Sequence, residues 1–390
     1  MNIKHFDQAG KISGKTVLVR ADFNVPIAGK KIKDNYKIKK GLATIQSLVE
    51  KGAKVVIVSH LGRPKKAEKA LSLKPVAEEL GRFLQKKITL LDVTDLKKTK
   101  QYIAQLPMRS VVMLENIRFL KGEATNAQPL AKALAGLADM FVLDGFAVAH
   151  RDAASVSGVA AYIPAYAGTL LAEEVRGLDA ALNHPKKPFV AVLGGIKMET
   201  KIPVLKNFLV KADYILVGGG IANTYMWAKG EKVGASVIDA DFKKQILTLC
   251  AKKKVIMPID FVVGQKNGKK ARIVSAKQMM LKKTEGIFDI GPATIMMFAS
   301  YIKKAKTIVW NGAMGNFEQR PYQYGTYSIA HVVAARSRGK AYGVAGGGET
   351  IEILKKLHIL NDIDMASTGG GSMLEYMGGK KLPGLEILKK

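Results

Sequence analysis

Short apolar runs rich in β-branched residues alternate with longer segments of helical spacing along the whole chain. The runs at 16–25, 53–59, 110–114, 140–144, 189–193, 214–217, 255–260, 307–310, 341–344 and 363–366 are mostly continuous and bounded by Gly or Pro. That is the pattern of strands buried on both faces. Between them, segments such as 37–51, 74–85, 202–211 and 350–357 carry apolar residues at helical spacing. The alternation predicts an α/β fold of two doubly wound, mostly parallel sheets. With 390 residues the chain is long for one hydrophobic core and comfortable for two. A connecting helix is expected over 168–182, broken by His184-Pro185, and the domain boundary is placed there. The expected layout is a domain at 1–167, a hinge helix at 168–184, a domain at 185–375 and a tail at 376–390.

Composition adds little to this until charge is considered. Hydrophobic residues make up 48% and charged residues 24%, an ordinary globular profile. A lone cysteine, Cys250, excludes an internal disulfide framework and makes a reducing, cytoplasmic setting the expectation. Residues 1–10 show no signal peptide pattern. The uncharged stretch 153–172 is interrupted by Gly158, Pro164 and Gly168, so a buried strand followed by a connector is expected there, and no membrane contact. The formal net charge is +30, with lysine pairs spread from Lys30-Lys31 through Lys186-Lys187 to Lys389-Lys390. A solvated lysine coat is the first reading, a field attracting anionic metabolites the second, and weak non-specific nucleic-acid binding the third. No specific nucleic-acid partner is expected.

The chemistry lies just beyond each strand, because open α/β sheets bind ligands past the carboxyl ends of their strands. In the first half those ends carry Asp22-Phe23-Asn24, Ser59-His60-Leu61-Gly62-Arg63, Glu115-Asn116-Ile117-Arg118 and Asp144 with His150-Arg151. In the second half they carry Gly194-Gly195-Ile196-Lys197, Gly218-Gly219-Gly220, Asn311-Gly312, Gly346-Gly347-Gly348 and Thr368-Gly369-Gly370-Gly371. One half presents cationic side chains, the other bare backbone at helix entrances. Singly, an arginine here reads as a surface residue, His60 as a loop donor and a glycine triplet as a turn. Their recurrence at equivalent strand ends argues for two different anionic ligands. Lys197 and Lys201, four apart at a helix start, are expected to share a face and hold a polyanion against the macrodipole. The segment 9–16 resembles a phosphate-binding loop but precedes a strand instead of coming after one, and is rejected. The residues alone thus lead to two facing domains, one for an anionic metabolite and one for a nucleotide phosphate chain.

At these strand ends the sequence resembles the phosphoglycerate kinase family over essentially its whole length. The resemblance is carried by Val19-Arg20-Ala21-Asp22-Phe23-Asn24-Val25-Pro26, Ser59-His60-Leu61-Gly62-Arg63-Pro64, Glu115-Asn116-Ile117-Arg118-Phe119, Leu193-Gly194-Gly195-Ile196-Lys197, Asp289-Ile290-Gly291-Pro292, Val309-Trp310-Asn311-Gly312 and Ser367-Thr368-Gly369-Gly370-Gly371. Each motif is modestly specific, and all of them in family order are highly specific. The resemblance implies a monomer whose two domains close by hinge bending. It would transfer a phosphoryl group reversibly between Mg²⁺-ATP and the carboxylate of 3-phosphoglycerate, giving ADP and 1,3-bisphosphoglycerate, in glycolysis and gluconeogenesis. It further implies that the C-terminal tail packs back on the first domain. Carried over, 3-phosphoglycerate would meet Asp22, Phe23, Asn24, Lys37, His60, Leu61, Gly62, Arg63, Arg118 and Arg151. The nucleotide would meet Gly195, Lys197, Lys201, Asn311, Glu318, Gly347, Gly348, Glu349 and Thr350. Lys37, Lys197, Lys201, Gly348 and Gly371 would act in catalysis, and Glu349 would handle the metal.

Some positions depart from the family pattern. Lys37 stands where the family has a catalytic arginine, and Glu349 where it has a metal-handling aspartate. Ala313 replaces a proline, Ala147-Val148 a Gly-Thr pair, and Ala153 a second histidine. These departures and the +30 charge motivate a rival reading, a kinase-like scaffold that binds nucleotide or nucleic acid without catalysis. Retention of Arg63, Arg118, Arg151, Lys197, Lys201 and Asn311 together favours the active enzyme.

Overall fold

The computed structural model describes residues 1–29 and 31–389, so Lys30 and Lys390, each half of a lysine pair, lie outside the described residues. The chain divides into two compact units, Met1–Arg176 with Lys381–Lys390, and Gly177–Lys380. Each is an α/β unit with a parallel six-stranded sheet, as the alternating runs predict.

In the first unit the strands are β1 (Thr16–Ala21), β2 (Ile27–Ala28), β3 (Lys31–Ile32), β4 (Lys54–Val58), β5 (Thr89–Leu91), β6 (Val111–Leu114), β7 (Met140–Asp144) and β8 (Ala165–Ala167). β2 and β3 form a separate antiparallel hairpin, and the others lie in the order β5-β6-β4-β1-β7-β8. Every residue of β4, β6 and β7 is buried, which is why these strands read as continuous apolar runs. Register pairs Arg20 with Val58 and Ala21 with Asp144, so the carboxyl ends of the three central strands finish level. The run expected at 16–25 stops as a strand at Ala21. Beyond it the backbone turns to side-chain partners: the Phe23 N–H donates to Ser59 Oγ at 2.9 Å and that of Asn24 to Asp22 Oδ1 at 3.2 Å.

The uncharged stretch 153–172 departs from expectation. Helical turns at Ala154–Gly158 and Val159–Ala161 come first, and the strand, β8, comes after them. Three successive N–H groups, of Val156, Ser157 and Gly158, converge on the Ala153 carbonyl and close the turn. The tail joins this unit: the Gly384 N–H donates to the Ala149 carbonyl, and the Lys4 N–H to that of Leu388, both at 2.8 Å.

The second unit contains β9 (Phe189–Leu193), β10 (Tyr214–Val217), β11 (Val255–Ile256), β12 (Asp260–Gly264), β13 (Arg272–Ser275), β14 (Gly286–Ile290), β15 (Thr307–Asn311), β16 (Tyr342–Gly346) and β17 (Met365–Ser367). The main sheet runs β11-β10-β9-β15-β16-β17, and β13-β12-β14 form a small antiparallel sheet. The single run expected at 255–260 is therefore split between two sheets. Pro258, which has no N–H to give a ladder, sits at the break. Asn311 pairs with both Leu193 and Gly346, so the glycine-rich segments after β9, β15 and β16 emerge side by side. Trp310, wholly buried, anchors this end: its Nε1–H donates to the Gly312 carbonyl at 2.9 Å. Truncating a buried aromatic of this size costs about 3–5 kcal/mol.

Candidate functional site

Two half-sites stand at the strand ends, one in each unit. In the first, β1 delivers Asp22 and Asn24, β4 delivers His60 and Arg63, and the segments after β6 and β7 deliver Arg118 and Arg151. Lys37 comes from the first turn of the helix Tyr36–Glu50, and its ammonium lies 2.5 Å from Asp22 Oδ2. His60 Nδ1 is 3.7 Å from the other oxygen of the same carboxylate. Burial by itself would raise the Asp22 pKa, but Lys37, His60 and Arg20 outweigh it and hold the carboxyl below its ordinary value. His60 is driven the other way, well below the usual imidazole range, by burial and by the Arg20 guanidinium. It is a neutral ring at physiological pH.

The arginines gather as their strand ends do. Burial first, then Arg151 and Arg20, pull the Arg118 guanidinium down to about 10. Arg118 donates to the Gly62 carbonyl, while the Gly62 N–H donates to Asn24 Oδ1 at 3.0 Å, so the β1 and β4 loops are tied together. Gly62 is left-handed, with φ +62°, and a Cβ there would lie 2.8 Å from Leu71. Arg63 is exposed, and the buried Nε of Arg151 has no hydrogen-bond partner among the described residues. A buried donor without an acceptor is costly, and an anionic ligand relieves that cost. Phe23 and Leu61 turn their side chains into the core, so only their backbone is available to a ligand.

Several supporting residues are not among the expected site residues. Arg20 is buried within β1, donating from Nε to Ser155 Oγ at 2.9 Å and lying 3.3 Å from His60 Nδ1. Ser155 in turn donates to Glu123 at 2.6 Å. Asn116, fully buried, donates to the carbonyls of Leu61 and Leu71 at 2.8 and 2.9 Å and so holds the loop that carries His60 to Arg63. An arginine inside an otherwise apolar strand run is the one sequence signal that singles out Arg20.

In the second half-site Lys201 is buried and donates to Asn311 Oδ1, while Asn311 Nδ2 donates to the Gly346 carbonyl at 2.6 Å. Burial lowers the Lys201 pKa to about 8 against the opposing pull of the Glu349 carboxylate. The expectation that Lys197 and Lys201 share a helix face needs correction. The helix is Met198–Lys211, and Lys197 precedes it in extended conformation, exposed, whereas Lys201 points inward. Gly195, at φ +87°, turns the chain just before them, and a Cβ on it would lie 3.4 Å from the Lys201 side chain and 3.8 Å from Glu349.

Gly347 caps the helix Gly348–Lys356 at φ +98°, which puts Gly348 and Glu349 in its first turn. The Thr350 hydroxyl accepts the Gly312 N–H at 2.8 Å, which anchors it to the scaffold beside these groups. Gly371 opens the short helix Gly371–Met377. Beside these groups lies a pocket walled by Gly195, Gly219, Gly220, Val237, Phe288, Met314, Glu318 and Glu349, apolar on most of its surface. Glu318 and Glu349 are exposed at its rim. The apolar wall is not legible in the sequence, because its members come from unconnected segments.

The two half-sites differ chemically. The first is a basic floor with one deeply buried carboxylate, suited to a small, multiply charged anion. The second joins N–H groups at helix entrances and a buried lysine to an apolar slot, the arrangement that suits a phosphate chain carrying a flat apolar group. Among the described residues no helix is long and apolar enough to cross a membrane.

Comparisons with known proteins agree with this geometry. Residues 7–380 match the family model described as phosphoglycerate kinase. Phosphoglycerate kinase of Francisella tularensis subsp. tularensis (strain WY96-3418) is 40% identical over 391 residues, covering 97% of this chain and 96% of that protein. The subsp. novicida (strain U112) protein of the same name matches with the same identity and coverage. Among solved structures, phosphoglycerate kinase from Coxiella burnetii superposes with a TM-score of 0.86 at 40% identity, covering 97% of each chain. The enzyme from Pyrococcus horikoshii OT3 gives 0.86 at 31% identity, covering 99% of this chain and 98% of that one. With a family match over nearly the whole chain, relatives of this identity and two half-sites of the required chemistry, the chain belongs to the phosphoglycerate kinase family.

Proposed function

We propose that the basic floor of the first unit binds 3-phosphoglycerate and the glycine-rich strand ends of the second bind ATP. The chain is an enzyme of glycolysis that transfers a phosphoryl group reversibly between these substrates. The observation that carries the assignment is the segregation of Arg63, Arg118, Arg151 and Lys37 in one unit, and of Lys201 with the helix-entrance glycines in the other.

In the direction of 1,3-bisphosphoglycerate, a carboxylate oxygen of 3-phosphoglycerate attacks the γ-phosphorus. A new P–O bond forms while the bond to the β–γ bridging oxygen breaks, and its electron pair leaves with ADP. Phosphoryl transfer of this kind needs alignment and charge stabilisation more than covalent help. Arg63, Arg118 and Arg151 hold the substrate phosphate and carboxylate, and Asn24 and neutral His60 orient its polar groups. Lys37 and Lys201 stabilise charge on the migrating group, together with the N–H groups of Gly348 and Gly371 and with Lys197. The apolar slot takes the nucleoside.

Glu349 supplies a single carboxylate beside Lys201, which fits Mg²⁺, a metal usually held by one or two carboxylates with the rest of its shell from phosphates and water. Bound with ATP, Mg²⁺ would offset the charge of the phosphates. Bringing the two ligands together requires the units to close by hinge bending and exclude water. The enzyme acts as a monomer in a reducing cytoplasmic setting. A coupled assay of ATP formation from 1,3-bisphosphoglycerate and ADP tests this reading. Turnover that depends on Mg²⁺ is the expected result, and a folded chain that binds ADP but forms no ATP would overturn it.

A further inference from the structure

The reaction uses the carboxyl ends of the strands and leaves most of the +30 charge unexplained. At the opposite, amino-terminal edge of the second sheet, an open pocket is lined by His184, Lys186, Lys306 and Lys340. These residues come from three separate connections. His184 and Lys186 precede β9, Lys306 directly precedes β15, and Lys340 precedes β16. Those three strands are neighbours, with Thr307 paired to Phe189 on one side and to Tyr342 on the other. Neighbouring strands lie about 4.8 Å apart, so the backbone positions from which the three lysines project form a row spread over roughly 10 Å.

The row is poorly neutralised. Lys187, which also lines the pocket, is already bound to Asp213 at 3.0 Å and to the Lys211 carbonyl at 2.8 Å. Lys186, Lys306 and Lys340 have no such side-chain partner among the described residues. The one carboxylate lining the pocket, Asp364, accepts the Gly343 N–H at 2.7 Å. His184 Nε2 lies 3.9 Å from Asp179, and among the described residues three lysines without an ion pair share the pocket with the single carboxylate of Asp364. Like charges gathered on converging connections repel one another, and an anion seated among them converts that repulsion into binding energy. Ammonium groups are point charges without the planar fork that selects a carboxylate, so they select charge density and its spacing.

We propose that this pocket binds a free oligophosphate chain, with Lys186, Lys306 and Lys340 contacting successive phosphates. A single phosphate is too small to engage a row of this length. The row is also short for a nucleic-acid backbone, which firm binders grip through roughly six or more phosphate contacts. The site is separate from both half-sites and independent of the kinase reading.

The test is calorimetric titration of inorganic tripolyphosphate into the full chain already saturated with ADP and 3-phosphoglycerate. One further equivalent should bind. The triple variant Lys186→Ala/Lys306→Ala/Lys340→Ala should lose this binding at least tenfold while keeping its turnover, which also certifies its fold. The single variant Lys306→Ala, central in the row, should give a smaller loss of the same kind and serves if the triple variant does not fold. The control Lys97→Ala/Lys98→Ala/Lys100→Ala removes the same charge from an exposed helix of the first unit and should bind like the parent. Equal weakening in both triple variants would reduce the effect to bulk charge and overturn the proposal. So would capture of a short DNA strand at this pocket without any binding of tripolyphosphate.

Discussion

The Lys37 ammonium and the Asp22 carboxylate form a 2.5 Å ion pair in which Asp22 is buried and Lys37 is about a quarter exposed. The pair fixes where the cation of the first half-site stands. A family arginine at this position would grip a ligand through a planar fork, whereas lysine offers a compact charge already engaged with Asp22. Lys37→Ala should therefore lose about 10²-fold in turnover, the scale of removing a transition-state donor. Lys37→Arg should remain active. Near-normal steady-state turnover of Lys37→Ala would remove Lys37 from the chemistry.

Arg63 is exposed at the end of β4 and, among the described residues, makes no ion pair or side-chain hydrogen bond, so its guanidinium is free for a ligand. Losing a charge-assisted contact costs about 1.5–3 kcal/mol, or tenfold and more in affinity. Calorimetry on Arg63→Ala should show that loss for 3-phosphoglycerate and near-parental affinity for ADP. Equal losses for both ligands would contradict the division of labour between the units.

Lys201 carries a pKa near 8 because burial disfavours its charge. A phosphate chain placed beside it favours the charged form and must raise that value, so nucleotide binding near pH 8 should take up protons. The apparent enthalpy of ADP binding should then vary with the ionisation enthalpy of the buffer at pH 8. The variation should fade at pH 6.5, where the amine is already protonated, and disappear in Lys201→Met. A buffer-independent enthalpy at pH 8 would refute the shift.

Asp144 ends β7 with one oxygen accepting the Leu171 N–H at 3.2 Å and the other buried without a partner among the described residues. Burial pushes its pKa from 3.8 up to about 7. The folded state therefore holds a proton that the unfolded chain releases, and this group's contribution to stability falls as pH rises from about 4 to about 7. Asp144→Asn cannot ionise and should be spared that fall. Urea unfolding should show the variant gaining on the parent between pH 5 and pH 8, and a constant difference across that range would exclude the effect.

Much of the fold is written in the sequence because buried parallel strands need continuous apolar runs, such as those at 53–59, 140–144 and 189–193. The positions of the ligand-facing residues are read nearly as directly. In a parallel sheet all carboxyl ends point one way, so residues just past the strands gather without any knowledge of distance. The sequence thus determined that Arg63, Arg118 and Arg151 belong to one half and the glycine segments to the other.

What a side chain does after the strand ends was settled only by packing. Lys197 and Lys201 look alike in the sequence, yet the first is the extended cap before the helix and stays in solvent, while the second lies within the helix and is seated against Asn311. Phe23 and Leu61 stand inside ligand-facing motifs but fill the core, and Arg20 stands in a strand but serves the site from beneath. The apolar slot is the furthest case. Its walls, Gly219, Val237, Phe288 and Met314, lie up to nearly a hundred positions apart and carry no shared pattern. Hydrophobic spacing reports which face of an element is buried; which elements then meet is decided by the order of strands in the sheet, and that order exists only in three dimensions.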